Sequence, residues 1–236
     1  MAKATKNGSG GAVKAYLVAY NTASYVGWAY VLLQTVLYLA ENGTNLDGLF
    51  DRIGYLLIYV QTGAAMEIIH SLVGLVSSSP LTVLTQVYSR LLLVWGILYP
   101  FNSPDVRASY GLVLMVLAWS ITECVRYSHY ALSLLNIEVP VLLYLRYTLF
   151  YVLYPAGVAG ELLEMWAALP YAGAIRPAFK GFLLLNMVNY PPVLYKLYTH
   201  MIRQRRKVLG GGAKASTALG GDTANTTEAS KKKKKL

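Results

Sequence analysis

The chain has 236 residues, of which 56% are hydrophobic and 14% are charged, whereas a soluble domain carries roughly 25% charged residues. The apolar residues form long uninterrupted blocks that a soluble core cannot hide, so we expect a membrane protein. The net charge of +10 lies at the two ends, because residues 1–14 carry +3, residues 203–236 carry +8 and residues 15–202 sum to −1. A nucleic-acid site needs a basic folded face, so this distribution argues against nucleic acid as a partner.

Six segments are apolar and long enough for a bilayer-crossing helix, which needs roughly 20 residues. They are 15–40, 53–76, 81–100, 109–135, 140–165 and 180–202. An even number of spans places both termini on one side, and the basic ends put that side in the cytosol. The sequence therefore predicts an all-α bundle of six transmembrane helices over 15–202. It also predicts a cytosolic N-terminal segment over 1–14 and a basic, disordered cytosolic tail over 203–236.

The low cysteine content limits the kinds of site that the chain can form. Cys124 is the one cysteine in the chain, so neither an intramolecular disulfide nor a cysteine-based zinc site can form. A phosphatase loop needs an arginine six positions after its cysteine to hold phosphate, and Tyr130 occupies that position. Phosphatase chemistry of this kind is therefore not expected.

Charged side chains recur inside the predicted spans, although each costs about 2.5–3.5 kcal/mol at a span centre on insertion scales. The polar residues concerned are Gln61, Glu67, His70, Gln86, Arg90, Glu123, Arg126, Arg146, Tyr154 and Glu161. In one interpretation, the three glutamates pair with the three arginines and hold the helices together. The other interpretation is a polar cavity inside the bundle, which we favour because apolar helices can pack without six buried charges.

The fifth predicted span contains the most unusual pattern. Tyr154 and Glu161 are seven residues apart and therefore face the same side of a helix, with their backbones roughly 10 Å apart along its axis. Pro155, Gly157 and Gly160 interrupt regular helix geometry, so we expect a bend near Pro155 that brings the phenol toward the carboxylate. The alternative is a proline kink that serves packing alone.

Five dispersed blocks of the sequence, covering about residues 16–202, resemble the very-long-chain 3-hydroxyacyl-CoA dehydratases, a membrane family once called protein-tyrosine-phosphatase-like. The blocks lie in order along the chain. They are Tyr20-Asn21 with Gly27-Trp28; Val60-Gln61-Thr62 with Glu67, His70, Gly74-Leu75-Val76 and Ser78; Gln86-Val87 with Ser89-Arg90; Trp119-Ser120 with Thr122-Glu123 and Arg126-Tyr127; and Tyr154-Pro155-Ala156-Gly157 with Glu161.

This resemblance implies a six-span enzyme of the endoplasmic reticulum membrane that catalyses the third step of fatty-acid elongation. It implies Tyr154 and Glu161 as the catalytic pair, with Arg90, Arg126, Arg146 and Gly157 in supporting or substrate-binding roles. No cofactor or metal is expected, since CoA is part of the substrate. The expected partners are long-chain acyl-CoA, membrane lipids and other enzymes of the elongation cycle.

Dehydration of a 3-hydroxyacyl thioester needs a base for the C2 proton and an acid for the C3 hydroxyl. We expect Glu161 as base and Tyr154 as acid, and the reversed assignment stays open. Arg126 and Arg146 lie nearer the cytosolic ends of their spans, where we expect them to meet the CoA moiety.

The final lysines, Lys231 to Lys235, are typical of a retrieval signal for the endoplasmic reticulum, or alternatively of attraction to anionic lipid. The competing functional class is a transporter or a non-catalytic lipid-binding scaffold, in which the charges inside the membrane line a path or hold a partner. Such a protein would not need Tyr154.

Overall fold

The protein is all-helical throughout the part that the computed structural model describes, residues 10–76 and 78–232, with side chains described up to residue 210. The helices are α1 (Gly10–Asn42), α2 (Leu49–Gly63), α3 (Met66–Leu72), α4 (Pro80–Leu93), which continues as a π-helical turn (Val94–Leu98), α5 (Pro104–Arg107), α6 (Tyr110–Leu134), α7 (Pro140–Arg146), α8 (Phe150–Ile175) and α9 (Pro177–Lys232). Within those residues there is no strand, and the predicted all-α class is confirmed.

Local sequence signals explain where several helices begin. Pro80, Pro104, Pro140 and Pro177 each open a helix, which suits proline because the first helical position needs no backbone N–H donor. At the start of α6, the hydroxyl of Ser109 accepts a hydrogen bond from the backbone N–H of Leu112 at 2.8 Å. This contact satisfies one of the unpaired donors of the first turn.

Three segments are long and apolar enough to cross a membrane, namely Gly10–Asn42, Pro80–Leu98 and Pro104–Leu134. The pair Pro140–Arg146 and Phe150–Ile175 qualifies together as a fourth, with a 45° bend between its two helices. These segments correspond to four of the six predicted spans, and the described residues thus contain three or four candidate membrane-spanning helices.

The other two predicted spans are not among those candidates. Segment 53–76 folds as two short helices, because α2 ends at Gly63 and α3 ends at Leu72, and neither reaches the roughly 20 residues of a full span. Segment 180–202 lies within α9, where two asparagines, two prolines and two lysines lower the hydropathy. Six transmembrane helices are therefore not confirmed.

The bend precedes Pro155, which corrects the expectation of a distortion near that residue. α8 is continuous from Phe150 to Ile175, and the break lies at residues 147–149. A proline ring clashes with the carbonyl four residues earlier, so its disturbance moves toward the N-terminus. Hydrogen bonds from Tyr151 N–H to the Thr148 carbonyl and from Val152 N–H to the Leu149 carbonyl, both 3.1 Å, accommodate the turn.

α6 lies at the centre of the bundle and packs against α1 on one side and α8 on the other. Gly160 permits the close approach of α8, because a Cβ atom at this position would lie 2.6 Å from the Met115 backbone nitrogen and 2.8 Å from the Gly111 carbonyl oxygen. Small residues allow such contacts between helices in lipid. The contact brings the middle of α8 directly against α6.

The chain divides into two compact units, Met1–Leu194 and Tyr195–Leu236. The first unit contains all the residues predicted for the site. The second unit contains the rest of α9 and begins at Tyr195, seven residues before the predicted end of the membrane domain at 202. That predicted boundary and the predicted disorder of 203–236 stay predictions.

Candidate active site

A buried carboxylate on α8 is the centre of the candidate site. The Glu161 side chain is almost fully enclosed, with 8% of the residue exposed. The Trp119 indole Nε1 on α6 donates a hydrogen bond to Glu161 Oε1 at 2.8 Å, and the Tyr190 hydroxyl on α9 donates one to Oε2 at 2.7 Å. Each oxygen of the carboxylate therefore accepts one hydrogen bond from a neutral group on another helix.

Tyr154 lies on the same side of α8, two turns before Glu161, and is half-buried. Its phenol interacts electrostatically with Glu161 and Arg90. Because α8 is regular between Tyr154 and Glu161, the backbone separation stays at roughly 10 Å. The expected bend thus does not shorten it, and only the side chains can close the distance.

Arg90 connects the candidate pair to the rest of the bundle. Its guanidinium carbon lies 5.3 Å from the ring centre of Trp119, the residue that holds Glu161. It also forms an ion pair with Glu123 and interacts electrostatically with Glu161. Arg90 is therefore the cation associated with the Glu161 carboxylate, although it does not form a direct ion pair with it.

A chain of alternating charges continues from Arg90 across three helices. Glu123 on α6 accepts from Arg90 of α4 and from Arg126 Nε at 2.6 Å. Arg126 in turn donates to both oxygens of Glu67 on α3, at 2.6 and 2.7 Å. The Tyr127 hydroxyl donates to Glu67 at 2.5 Å. The two positive and two negative charges of this network balance each other.

This network agrees with the interpretation of paired charges for Glu67, Glu123, Arg90 and Arg126. Glu161 and Arg146 differ, since neither makes an ion pair within the described part of the chain. Four charges therefore pin helices together, whereas the buried Glu161 carboxylate is bound by neutral donors. The buried Glu164 carboxylate likewise accepts from a neutral group, the Ser109 hydroxyl.

Arg146 lies at the end of α7, beside the bend. It donates a hydrogen bond from Nη2 to the Tyr130 hydroxyl at 3.0 Å, and its guanidinium carbon lies 4.4 Å from the ring centre of Tyr130. Its Nη1 atom is buried without a hydrogen-bond partner among the described residues. These contacts place Arg146 apart from the Tyr154–Glu161 pair, with donor capacity left for an anion.

Gly157 lies on α8 between the two candidate catalytic residues and faces α6. A Cβ atom there would lie 3.4 Å from the Ala118 Cβ, an ordinary contact. Its neighbour Gly160 has the much tighter fit.

Sequence reasoning did not assign roles to Trp119 and Tyr190. Trp119 belongs to one of the five blocks that carry the family resemblance, and Tyr190 precedes a proline pair in the last predicted span. Neither position is fixed relative to Glu161 by a helical repeat, because 42 and 29 residues separate them from it.

Among the described residues, no group of three or more His, Cys, Asp or Glu side chains is arranged to hold a metal ion. Two surface grooves occur elsewhere: one runs along α1 from Gly11 to Ala23 beside Leu135, and one is formed by residues of α9 from Tyr195 to Arg203. Neither groove includes Tyr154 or Glu161, which lie inside the bundle.

Comparisons with known proteins point to one family. Residues 61–211 match the family model described as "Protein tyrosine phosphatase-like protein, PTPLA". The chain is 45% identical over 216 residues to the very-long-chain (3R)-3-hydroxyacyl-CoA dehydratase hpo-8 of Caenorhabditis elegans, which covers 86% of this chain and 98% of that relative.

Two further relatives carry the same description. The chain is 41% identical over 218 residues to very-long-chain (3R)-3-hydroxyacyl-CoA dehydratase 2 of Mus musculus, covering 86% of this chain and 84% of the relative. It is 44% identical over 196 residues to a probable enzyme of this description from Schizosaccharomyces pombe, covering 82% and 92%. No solved structure matches the chain.

Proposed function

The chain belongs to the protein tyrosine phosphatase-like family of very-long-chain (3R)-3-hydroxyacyl-CoA dehydratases, and we propose that Glu161 and Tyr154 carry out its reaction. The enzyme is a hydro-lyase of fatty-acid elongation that removes water from (3R)-3-hydroxyacyl-CoA and forms trans-2-enoyl-CoA, the third step of the cycle.

The hydrogen bonds of Glu161 carry the assignment of the base. Both oxygens accept from N–H or O–H donors, so the arrangement suits a carboxylate, which is an acceptor only. A protonated carboxyl group would instead have to donate to the Tyr190 hydroxyl, which reverses that hydrogen bond. With the Tyr190 hydroxyl as donor, the arrangement supports Glu161 as the group that removes the C2 proton.

Tyr154 is then the acid. Glu161 takes the C2 proton, the electron pair of the C–H bond forms the C2–C3 double bond, and the C3 hydroxyl leaves as water with the phenolic proton of Tyr154. The proton on Glu161 afterwards returns to the Tyr154 phenolate, so no proton is consumed. Arg90, which interacts with both residues, stabilises the negative charge that moves between them.

Arg146 is the better of the two proposed contacts for CoA. Arg126 is committed to Glu67 and Glu123 and has no uncompensated charge to offer a phosphate. Arg146 has an unpartnered buried nitrogen and a guanidinium stacked on tyrosine. Arginine binds phosphate through several N–H donors at once, which suits a CoA phosphate.

The remaining assignments follow from the pattern of charges and apolar segments. We infer six membrane spans over 15–202, with 1–14 and 203–236 in the cytosol and the protein in the endoplasmic reticulum membrane. The basic ends support this orientation. Membrane lipids and other elongation enzymes are the proposed partners, and no cofactor is proposed.

Purified variants in detergent or lipid test the catalytic pair. Tyr154→Phe and Glu161→Gln should each reduce turnover of 3-hydroxyacyl-CoA by more than about tenfold while the protein stays folded. The matched controls are Tyr144→Phe and Glu138→Gln, since both residues are exposed and should retain parental turnover. If either site variant retains turnover within tenfold of the parent, that residue is not the acid or base.

A further inference from the structure

Glu161 has a partner on the last helix that the sequence pattern did not reveal. The Tyr190 hydroxyl donates to Glu161 Oε2 at 2.7 Å. Tyr190 thus reaches the proposed base from α9.

The first half of α9 explains how Tyr190 comes to this position. Leu183 is fully buried and Phe179 packs against the core beside Phe101, with ring centres 6.4 Å apart. Leu183 and Tyr190 are seven residues apart and share one face of the helix. The face that anchors α9 therefore also carries the phenol toward Glu161.

The carboxylate needs such a partner to keep one orientation. The terminal torsion of a glutamate is broad, so the side chain alone does not fix its two oxygens. Here Trp119 holds Oε1 from α6 while Tyr190 holds Oε2 from α9. Two donors on separate oxygens and separate helices fix the plane of the carboxylate, which leaves its remaining lone pairs in a defined direction.

We propose that Tyr190 is a positioning residue of the dehydratase: through its hydrogen bond it holds the Glu161 carboxylate in the correct orientation for removal of the C2 proton. The inference rests on the proposed role of Glu161 as base. A misplaced base loses catalytic efficiency even when substrate still binds, so the effect should fall on the chemical step.

Tyr190→Phe removes the hydroxyl and keeps the ring. We expect kcat to fall about 10- to 100-fold, the effect of losing one hydrogen bond to a charged group, while KM for 3-hydroxyacyl-CoA stays within about twofold. Tyr195→Phe is the matched control on the same helix, because this tyrosine is 74% exposed. Its kcat and KM should equal those of the parent.

A double-mutant cycle separates positioning from a general effect on the fold. Glu161→Asp shortens the side chain and withdraws it from Tyr190, so adding Tyr190→Phe to that variant should lower kcat by less than about twofold further. An independent loss of the full 10- to 100-fold in the Glu161→Asp background would overturn the inference.

Other outcomes are equally decisive. If Tyr190→Phe retains parental kcat while Glu161→Gln is inactive, Tyr190 is not a positioning residue and the proposed function stands. If Tyr190→Phe no longer folds while Tyr195→Phe does, the hydrogen bond serves stability and the inference is overturned. A folded parent without dehydratase activity would instead contradict the proposed function itself.

Discussion

Glu123→Gln should destabilise the protein strongly, because it removes the shared anion of a buried network. The Glu123 side chain is 2% exposed and accepts from two arginines whose side chains are 23% and 24% exposed. Arg126 keeps its paired hydrogen bonds with Glu67, whereas Arg90 loses the one carboxylate with which it forms an ion pair in the described part of the chain. Breaking a buried pair costs about 3–5 kcal/mol, and because Arg90 is partly exposed we expect Glu123→Gln to lower the free energy of unfolding by about 3 kcal/mol.

Thermal unfolding of the purified protein in detergent measures the effect. Glu41→Gln is the matched control, since Glu41 also pairs with an arginine, Arg52, but at the surface, where such pairs contribute little. Its unfolding temperature should equal that of the parent.

Replacing Arg90 and Glu123 together by leucine provides a second test. The double variant should lose less free energy of unfolding than Glu123→Gln alone, since no unpaired charge remains at position 90. If Glu123→Gln unfolds at the parental temperature, or if the double variant loses the sum of both single losses, the network does not stabilise the bundle as argued.

Three further predictions concern other parts of the chain. Gly160→Ala should lower the free energy of unfolding by about 1–3 kcal/mol, because its Cβ would lie 2.6 Å from the Met115 backbone, whereas Gly157→Ala should leave thermal unfolding near that of the parent. Arg146→Ala should raise KM for acyl-CoA about tenfold or more, and should leave KM unchanged for a pantetheine thioester without the CoA phosphates; equal effects on both would contradict phosphate binding. Asn225-Thr226-Thr227 matches the acceptor sequence for N-glycosylation, and Asn225 should carry no glycan in cells that glycosylate, because the tail is proposed to be cytosolic. A glycan seen there by mass spectrometry would place the tail in the lumen.

The sequence predicted the helical class for a clear physical reason, whereas the pairing of charges was the interpretation that we did not favour. Long apolar segments leave few alternatives to helices in a bilayer. The bounds of the predicted spans 15–40 and 81–100 accordingly agree closely with those of α1 and of α4 with its π-helical turn. Glutamates and arginines inside such segments must find partners. Glu67 pairs with Arg126 and Glu123 pairs with Arg90, although the sequence did not indicate which glutamate meets which arginine.

The details that depend on long-range packing could not be predicted. Helical periodicity relates Tyr154 to Glu161, but it says nothing about Trp119 or Tyr190, which meet Glu161 only because α6 and α9 pack beside α8. A bend in this span was predicted, but its position was not, because the break lies at residues 147–149 and α8 continues through Pro155. The short helices α2 and α3 likewise replaced one long predicted span, because the chain turns after Gly63.

The most direct test of the central claim is dehydration by the purified parent protein itself. The folded protein, reconstituted in lipid, is incubated with (3R)-3-hydroxyacyl-CoA and with the (3S) epimer, and the products are identified by liquid chromatography and mass spectrometry. We predict conversion of the (3R) substrate to trans-2-enoyl-CoA with loss of one water, no conversion of the (3S) epimer, and no product with Glu161→Gln. A folded parent that binds the (3R) substrate without releasing the enoyl product would contradict the account and favour a non-catalytic lipid-binding protein.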